Sequence, residues 1–301
     1  MKANKEFLKL PLEFWANVKL ISQKIGYTER GTSKVKIPTI KQIVDVYKLL
    51  GLNSTRIINT GVLTKEGILL LDYFKFRAEF LNEKVEKNLM SLSQAKSLYQ
   101  DLNRELKPTC PIPLNKQKGE KSGPAYFTAI INILIEANCG GYVCDYDPRE
   151  LSAFTQDGFP IRSLSRRVDG AFPSVINPIA LWEIKEYYYT TTFGSRISDG
   201  VYETLLDGFE LAEARDYLNR EIHHYLMVDD YNTWWTMGRS YLCRICDMLH
   251  MGLITEVLFG REVVERIPVL VKEWITQYEK NILPIAERGA ANDRKIDIKR
   301  E

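Results

Sequence analysis

The sequence lacks the features that mark several specialised protein classes. No apolar run approaches the roughly 20 residues that cross a bilayer, and no apolar block with a small-residue cleavage pattern follows Met1. Only five cysteines, an odd number, are spread over 301 residues. These absences argue against a membrane protein, a secreted protein and a disulfide scaffold. They predict a cytoplasmic protein with no membrane partner.

Charge of one sign does not dominate, but it is unevenly distributed. The chain has 41 Lys+Arg and 39 Asp+Glu, of which 22 and 12 lie in the stretch that ends at Lys121. The remainder has 19 and 27. A basic half beside an acidic half suggests a region that meets phosphates next to a region that concentrates carboxylates, as a metal site requires. The alternative is an uneven surface without a function.

The apolar fraction of 45% and the aromatic fraction of 11% can form a core for one large or two moderate domains. Helical spacing of apolar residues predicts an α-helical, basic domain at 1–107, which we expect to recognise DNA or to dimerise. Within it, residues 39–50 should form a helix that stops at Gly51, and the turn that follows is compatible with a helix-turn-helix or with an ordinary bundle.

Prolines and lysines at 108–123 predict a linker, and the charged residues at 285–301 predict a C-terminal tail. Between them, residues 124–284 alternate helix and strand signals, which is typical of a mixed α/β fold. The expected helices are 125–138, 201–219, 233–251 and 262–280, the last with a kink at Pro268. The expected strands are 142–146, 168–172, 180–189, 222–228 and 253–259.

The chemistry concentrates on the strand at 180–189. Side chains alternate faces along a strand, so Glu183 and Lys185 should point the same way and Trp182 and Ile184 the other way. A hairpin through 173–178 would bring Asp169 alongside Glu183. Adjacent carboxylates repel each other unless a positive group lies between them, and Mg²⁺ prefers such oxygen ligands. The alternative is an edge-strand charge pair and a turn aspartate.

Asp169-Gly170, followed by Glu183-Ile184-Lys185, resembles the active-site signature of the PD-(D/E)XK nuclease superfamily, which includes most type II restriction endonucleases. The family core is a helix, three strands, a helix and a strand, and the predicted elements have this order. The resemblance covers roughly residues 122–260 and does not extend to the N-terminal half. Val168 stands where the motif has proline, a frequent departure.

The resemblance implies a restriction-endonuclease-like core and a Mg²⁺-dependent type II restriction endonuclease. Such an enzyme hydrolyses double-stranded DNA at a short specific sequence, leaves 5′-phosphate and 3′-hydroxyl ends, and is expected to act as a homodimer. The implied catalytic residues are Asp169, Glu183 and Lys185. The implied metal ligands are Asp169, Glu183 and the Ile184 carbonyl, with Glu136 as an auxiliary ligand. The alternatives are a DNA repair or recombination nuclease of the same fold and a non-catalytic DNA-binding regulator.

Basic and hydroxyl side chains near the motif are candidates for DNA contacts, although ordinary loops and solvated lysines have the same composition. Those near the catalytic strands are Arg166, Arg167, Thr191, Thr192, Ser195 and Arg196. Those in the N-terminal region are Lys34, Lys36, Lys41 and Arg56.

Cys243, Cys246 and His250 have a spacing that brings three zinc ligands onto one helix. A fourth ligand would have to come from Cys139, Cys144 or His223. We therefore interpret the two cysteines mainly as small apolar core residues.

Overall fold

A computed structural model describes residues 1–29, 31–32, 34–115 and 123–297. The predicted linker residues 116–122 and tail residues 298–301 lie outside them. The N-terminal region consists mainly of helices, as expected. Its elements are α1 (Leu12–Ile25), α2 (Ile40–Leu50), β1 (Ile58–Asn59), β2 (Val62–Leu63), α3 (Lys65–Phe80), a π-helical turn (Leu81–Val85), α4 (Glu86–Asn88) and α5 (Leu92–Leu106).

Local capping explains where these helices begin and end. Thr39 accepts a hydrogen bond from the Gln42 amide and completes a capping box at the start of α2, and Gly51 ends that helix in a left-handed conformation. Thr64 caps α3 in the same way. The helix-turn-helix interpretation is wrong, because α2 is followed by a hairpin of β1 and β2 and not by a second helix directly after the turn.

The second region alternates helices and strands. Its elements are α6 (Tyr126–Asn138), β3 (Asp145–Tyr146), β4 (Ala153–Gln156), β5 (Phe159–Ser163), β6 (Gly170–Phe172), β7 (Ala180–Glu186), α7 (Ser195–Leu218), β8 (His223–Asp229), a π-helical segment (Tyr231–Met237), α8 (Arg239–His250), β9 (Glu256–Phe259) and α9 (Glu262–Asp297). The helix predicted at 262–280 therefore continues past Pro268 and into the predicted tail. The hairpin of β4 and β5 was not predicted.

A five-stranded mixed sheet organises this region in the order β3-β6-β7-β8-β9. β3, β6 and β7 are antiparallel neighbours, whereas β7, β8 and β9 run parallel. The crossover from β7 to β8 passes through α7, as a parallel pair requires. The predicted mixed α/β fold is confirmed.

Helices cover both faces of the sheet, so its central strands are buried on both sides. On one face Trp182 of β7 stacks on Trp274 of α9, with ring centroids 5.5 Å apart, and both belong to a cluster that includes Phe127 of α6. On the other face Leu181 packs with Leu211 of α7. This arrangement makes β7 a central strand with a different environment on each face.

A buried ion pair joins the N-terminal helices to the α/β region. Arg77 of α3 donates hydrogen bonds from Nη1 to both carboxylate oxygens of Asp247 on α8, at 3.0 and 3.1 Å. Tyr73 donates to the same carboxylate at 2.6 Å, and Arg77 Nη2 donates to Ser22 at 3.1 Å. A charge pair that is hydrogen-bonded in this way loses its compensation when one partner is removed.

We expect Asp247→Ala to lower the free energy of unfolding by about 3–5 kcal/mol, because it leaves the Arg77 guanidinium buried without a counter-charge. Urea unfolding measures the change. Asp72→Ala is the control, since it breaks an exposed pair with Lys75 on the same helix and should cost about 0–1 kcal/mol. Equal losses for the two variants would contradict the prediction.

Candidate functional site

Strand pairing brings Asp169 against β7. Gly170 lies opposite Trp182, and the Asp169 amide donates to the Trp182 carbonyl at 3.1 Å. The Asp169 carboxylate accepts a hydrogen bond from the Ile184 amide at 2.7 Å. A Cβ at position 170 would lie 2.1 Å from the Trp182 ring, so only glycine fits there. In the Asp-Gly sequence, the aspartate therefore supplies the carboxylate beside β7, and the glycine allows the Trp182 ring to pack directly on the backbone.

Glu183 and Lys185 lie together on the face of β7 that looks toward α7, as the alternation predicts. The Lys185 ammonium lies 3.0 Å from Glu183 Oε2. Glu183 is fully buried, and its other carboxylate oxygen lies 2.9 Å from Nη1 of Arg166. Two cations thus compensate one carboxylate in a place that water does not reach.

Acidic residues of α7 hold the segment that precedes β6. Asp207 accepts from Arg166 Nη1 at 2.7 Å, and Glu203 lies 3.5 Å from both Arg166 Nη2 and Lys185 Nζ. Glu210 accepts from the Ser165 amide at 2.9 Å. Our sequence analysis missed these three acids. Their spacing of four and three residues places them on one helical face, a pattern that a search for acidic stripes would have found.

The protonation of the cluster follows from its burial and its charges. Burial raises the pKa of Asp169 to about 7, with a further contribution from the Glu183 charge. The same causes raise the pKa of Asp207 to about 7. Burial also opposes ionisation of Glu183, but the Lys185 and Arg166 cations outweigh it and lower the pKa of Glu183. Burial opposes the charged form of Lys185, yet Glu183 and Asp169 raise its pKa above the ordinary value.

A cavity of about 460 Å³ opens on this cluster. Asp169, Ile184, Lys185 and Arg196 line it, so four of the predicted site residues share one space, while Glu183 lies behind Lys185. The lining also includes polar residues that the sequence analysis did not assign to a site, among them Asn132, Glu186 and Glu203. Carboxylate and carbonyl oxygens beside an ammonium group can hold a divalent cation and a phosphate.

The structure does not bring Glu136 to the cluster. Its carboxylate accepts hydrogen bonds from the amide and hydroxyl of Thr109, near the end of α6. Glu186 of β7 meets the other end of this helix, where it accepts from the Phe127 amide at 2.7 Å. Burial raises the pKa of Glu186 to about 7. A strand residue thus supplies the cap that α6 lacks in its own sequence.

The candidate DNA contacts divide into exposed and engaged side chains. Arg166 is engaged within the protein, by Glu183 and Asp207, so the structure does not present it as a free phosphate contact. Arg196 lies in the first turn of α7 beside the cavity. Exposed side chains near the site are Arg167, Thr191, Thr192 and Ser195.

The N-terminal candidates lie outside the cavity lining. Lys34 and Lys41 are exposed. Lys36 donates to the Ile25 carbonyl at 3.1 Å. Arg56 lines a separate cavity with Glu66.

Cys243 and Cys246 are buried in α8 and pack in the hydrophobic core. His250 donates a hydrogen bond from Nδ1 to the Cys246 carbonyl at 2.7 Å, and its Nε2 accepts one from the Asn4 amide at 3.1 Å. Both ring nitrogens are therefore engaged. Within the described part of the chain no group of three or more His, Cys, Asp and Glu side chains could hold a metal ion.

Comparison with known proteins identifies two family models. The model described as Domain of unknown function (DUF7687) matches residues 90–274, and that described as Domain of unknown function (DUF7690) matches residues 1–84. No curated protein and no solved structure matches the chain. Among the helices that the structure describes, none has both the length and the apolar character of a membrane span.

In the metal-free protein we expect the Asp169 carboxyl to titrate near pH 7, because burial and Glu183 raise its pKa to about 7. The folded chain then keeps a proton that the unfolded chain loses near pH 4, so the contribution of Asp169 to stability falls as the pH rises through this window. Carboxyl ¹³C NMR measures the titration. Glu183→Gln should lower the Asp169 pKa, and a wild-type midpoint near the ordinary value of 3.8 would contradict the assignment.

Arg166 and Arg167 are adjacent arginines with opposite surroundings. Arg166→Ala should lower the free energy of unfolding by about 3 kcal/mol or more, because it leaves the carboxylates of Glu183 and Asp207 buried without this cation. Arg167→Ala, at the exposed neighbour, should change it by less than about 0.5 kcal/mol. Chemical denaturation of the two variants in parallel is the measurement, and a larger loss at Arg167 would refute the described network.

Proposed function

The chain belongs to the family described as Domain of unknown function (DUF7687), and from its site we propose that it is a Mg²⁺-dependent type II restriction endonuclease. Its substrate is double-stranded DNA with a short specific sequence, and its products have 5′-phosphate and 3′-hydroxyl ends. One observation carries the proposal: Asp169 lies beside Glu183 and Lys185 on paired strands, next to a cavity.

The order of the elements supports the proposal. In the PD-(D/E)XK core a helix precedes three strands, and a second helix leads to a fourth strand. Here α6 precedes β3, β6 and β7, and α7 leads to β8, which is parallel to β7. The hairpin of β4 and β5 stands as an insertion between the first and second of these strands.

The residues present fit a magnesium ion. Mg²⁺ is usually held by one or two carboxylates, and waters and a substrate phosphate complete its shell. Asp169 and Ile184 line the cavity. Burial together with the Glu183 charge raises the pKa of Asp169 to about 7 although the Lys185 and Arg166 cations lower it, so a further cation would favour the ionised carboxylate. Mg²⁺ held by Asp169, Glu183 and the Ile184 carbonyl would lower the pKa of a water and offset charge on the phosphate.

Cationic side chains of the protein itself can interact with the substrate phosphate. Lys185 remains protonated because Glu183 and Asp169 raise its pKa, so its ammonium group can orient the attacking water and stabilise the negative charge of the phosphorane. Arg196 lines the same cavity and can bind a phosphate oxygen. Arg167, Thr191, Thr192 and Ser195 are exposed, and we expect them to contact the adjoining DNA backbone.

Cleavage of both strands requires two sites, and each chain has one. We therefore propose a homodimer whose two-fold axis matches a palindromic target. The basic N-terminal region, with Lys34 and Lys41 exposed, would add phosphate contacts that do not depend on sequence.

We expect the protein to cut long unmethylated phage DNA into discrete bands with Mg²⁺ and to leave it intact with EDTA. Glu183→Gln should reduce cleavage at least about 100-fold, because the metal ion that would stabilise the scissile phosphate loses a carboxylate ligand. Glu79→Gln is the matched control: it makes the same chemical change at an exposed position of α3 and should cleave like the wild type.

The pattern of products separates this proposal from its alternatives. Preference for nicked or branched DNA would replace it with a repair or recombination nuclease of the same fold. If the protein binds DNA equally well with and without Mg²⁺ and cleaves neither unmethylated, methylated nor branched DNA, the proposal is replaced by a non-catalytic regulator. Discrete bands whose ends map to one short sequence would support the restriction endonuclease.

A further inference from the structure

Two cysteines lie close together at the edge of the sheet, outside the cluster of Asp169 and Glu183. The Sγ atoms of Cys139 and Cys144 are 3.2 Å apart. A disulfide has an S–S bond of about 2.05 Å, so the sulfurs need to approach by only about 1.2 Å to be joined. The pair differs from Cys243 and Cys246, which are both buried in α8, because Cys144 is partly exposed.

The backbone holds the pair in this arrangement. Cys139 is the C-cap of α6, and Gly140 and Gly141 follow with positive φ angles of 58° and 90°. These glycines reverse the chain at no steric cost, so Cys144 returns to the helix end. Tyr142 fixes the loop, because its ring packs on Phe172 and its hydroxyl donates to Glu279 at 2.8 Å.

The two thiols also differ in a way that suits exchange chemistry. Cys144 is partly exposed, whereas Cys139 is buried. The hydrogen bond from the Cys144 thiol lowers the pKa of Cys139, so a thiolate forms in this pair more readily than at an isolated buried cysteine. By contrast, burial raises the pKa of Cys110 to about 12 and that of Cys243 to about 11.

From this geometry we propose that Cys139 and Cys144 are a reversible disulfide site that reacts with low-molecular-weight disulfides such as oxidised glutathione. The site is independent of the proposed nuclease function. It is a modification site at the edge of the sheet, formed by residues five positions apart in one loop.

The reaction balances as two successive exchanges. When the pair loses one proton, the charge lies mainly on Cys139, because the hydrogen bond and burial raise the pKa of Cys144. Transfer of the remaining proton from Cys144 to Cys139 leaves a minor fraction of thiolate on Cys144, the sulfur that the solvent reaches. That thiolate attacks one sulfur of the small disulfide, a mixed disulfide forms, and one small thiolate leaves. Cys139 then loses its proton and attacks the Cys144 sulfur, so the protein disulfide forms and the second small thiolate leaves. The protein loses two electrons and two protons, and the small disulfide becomes two thiols.

The position of the pair connects it to the wall of the cavity. Cys144 directly precedes β3, in which Tyr146 pairs with Gly170 and lines the cavity. The next residue, Asp147, donates its amide to the Asp169 carbonyl at 3.0 Å. A disulfide would therefore tie the end of α6 to the strand that supports Asp169, and should slow local opening of that strand.

The test uses the full chain, incubated folded with oxidised glutathione, then acid-quenched, denatured and alkylated. Mass spectrometry should find three alkylated cysteines out of five and a peptide that links Cys139 to Cys144, and dithiothreitol should restore all five. Cys144→Ser should abolish the linkage and leave its four remaining cysteines alkylated. Cys243→Ser, the matched control, should keep the linkage.

Five alkylated cysteines after this treatment would overturn the proposal, as would a linkage to Cys110 or a product that stops at the mixed disulfide. Hydrogen exchange then tests the connection to the cavity wall. The Asp147 amide should exchange more slowly in the oxidised chain than in the reduced chain, and unchanged exchange in a chain with the disulfide would refute that connection.

Discussion

The site depends on the neutralisation of a carboxylate that is buried on the central strand. Glu183 has no access to water, so groups of the protein must balance its charge. Lys185 comes from the same strand, and Arg166 comes from the segment that precedes β6. Because Arg166 must also satisfy Asp207 of α7, one guanidinium fixes three elements relative to one another.

The cations that neutralise Glu183 do not fully compensate the neighbouring acids, and this has a chemical consequence. Asp169 and Asp207 both have a pKa raised to about 7 by burial and by the charge of Glu183. The fold gains no stability from such residues, since well-packed apolar side chains at these positions would serve it at least as well. Buried acids that need a further cation are therefore better explained by a function than by the fold, which is the physical basis of the proposed metal site.

The sequence was sufficient for features that depend on local patterns. Strand alternation placed Glu183 and Lys185 on one face, and the short turn after β6 placed Asp169 beside β7, because both follow from backbone geometry. Asp157-Gly158, which turns β4 into β5, is an equally local hairpin signal that the sequence analysis missed. The helical partners of Arg166, Glu203 and Asp207, could not be predicted, because they belong to a helix some 40 residues away in the chain and meet Arg166 only through tertiary packing.

Helix α6 links the cavity at its first turn to the cysteine pair at its last residue, and no sequence pattern predicted this link. Its first turn is capped by Glu186, a residue of β7 that lines the cavity. Its last residue is followed by Cys139, whose partner Cys144 leads into β3. The helix is buried along its length among apolar residues of β7 and α9, and such close packing transmits strain between the helix and the sheet. A change at the cysteine end would therefore reach the cavity through packed elements and not through a flexible loop.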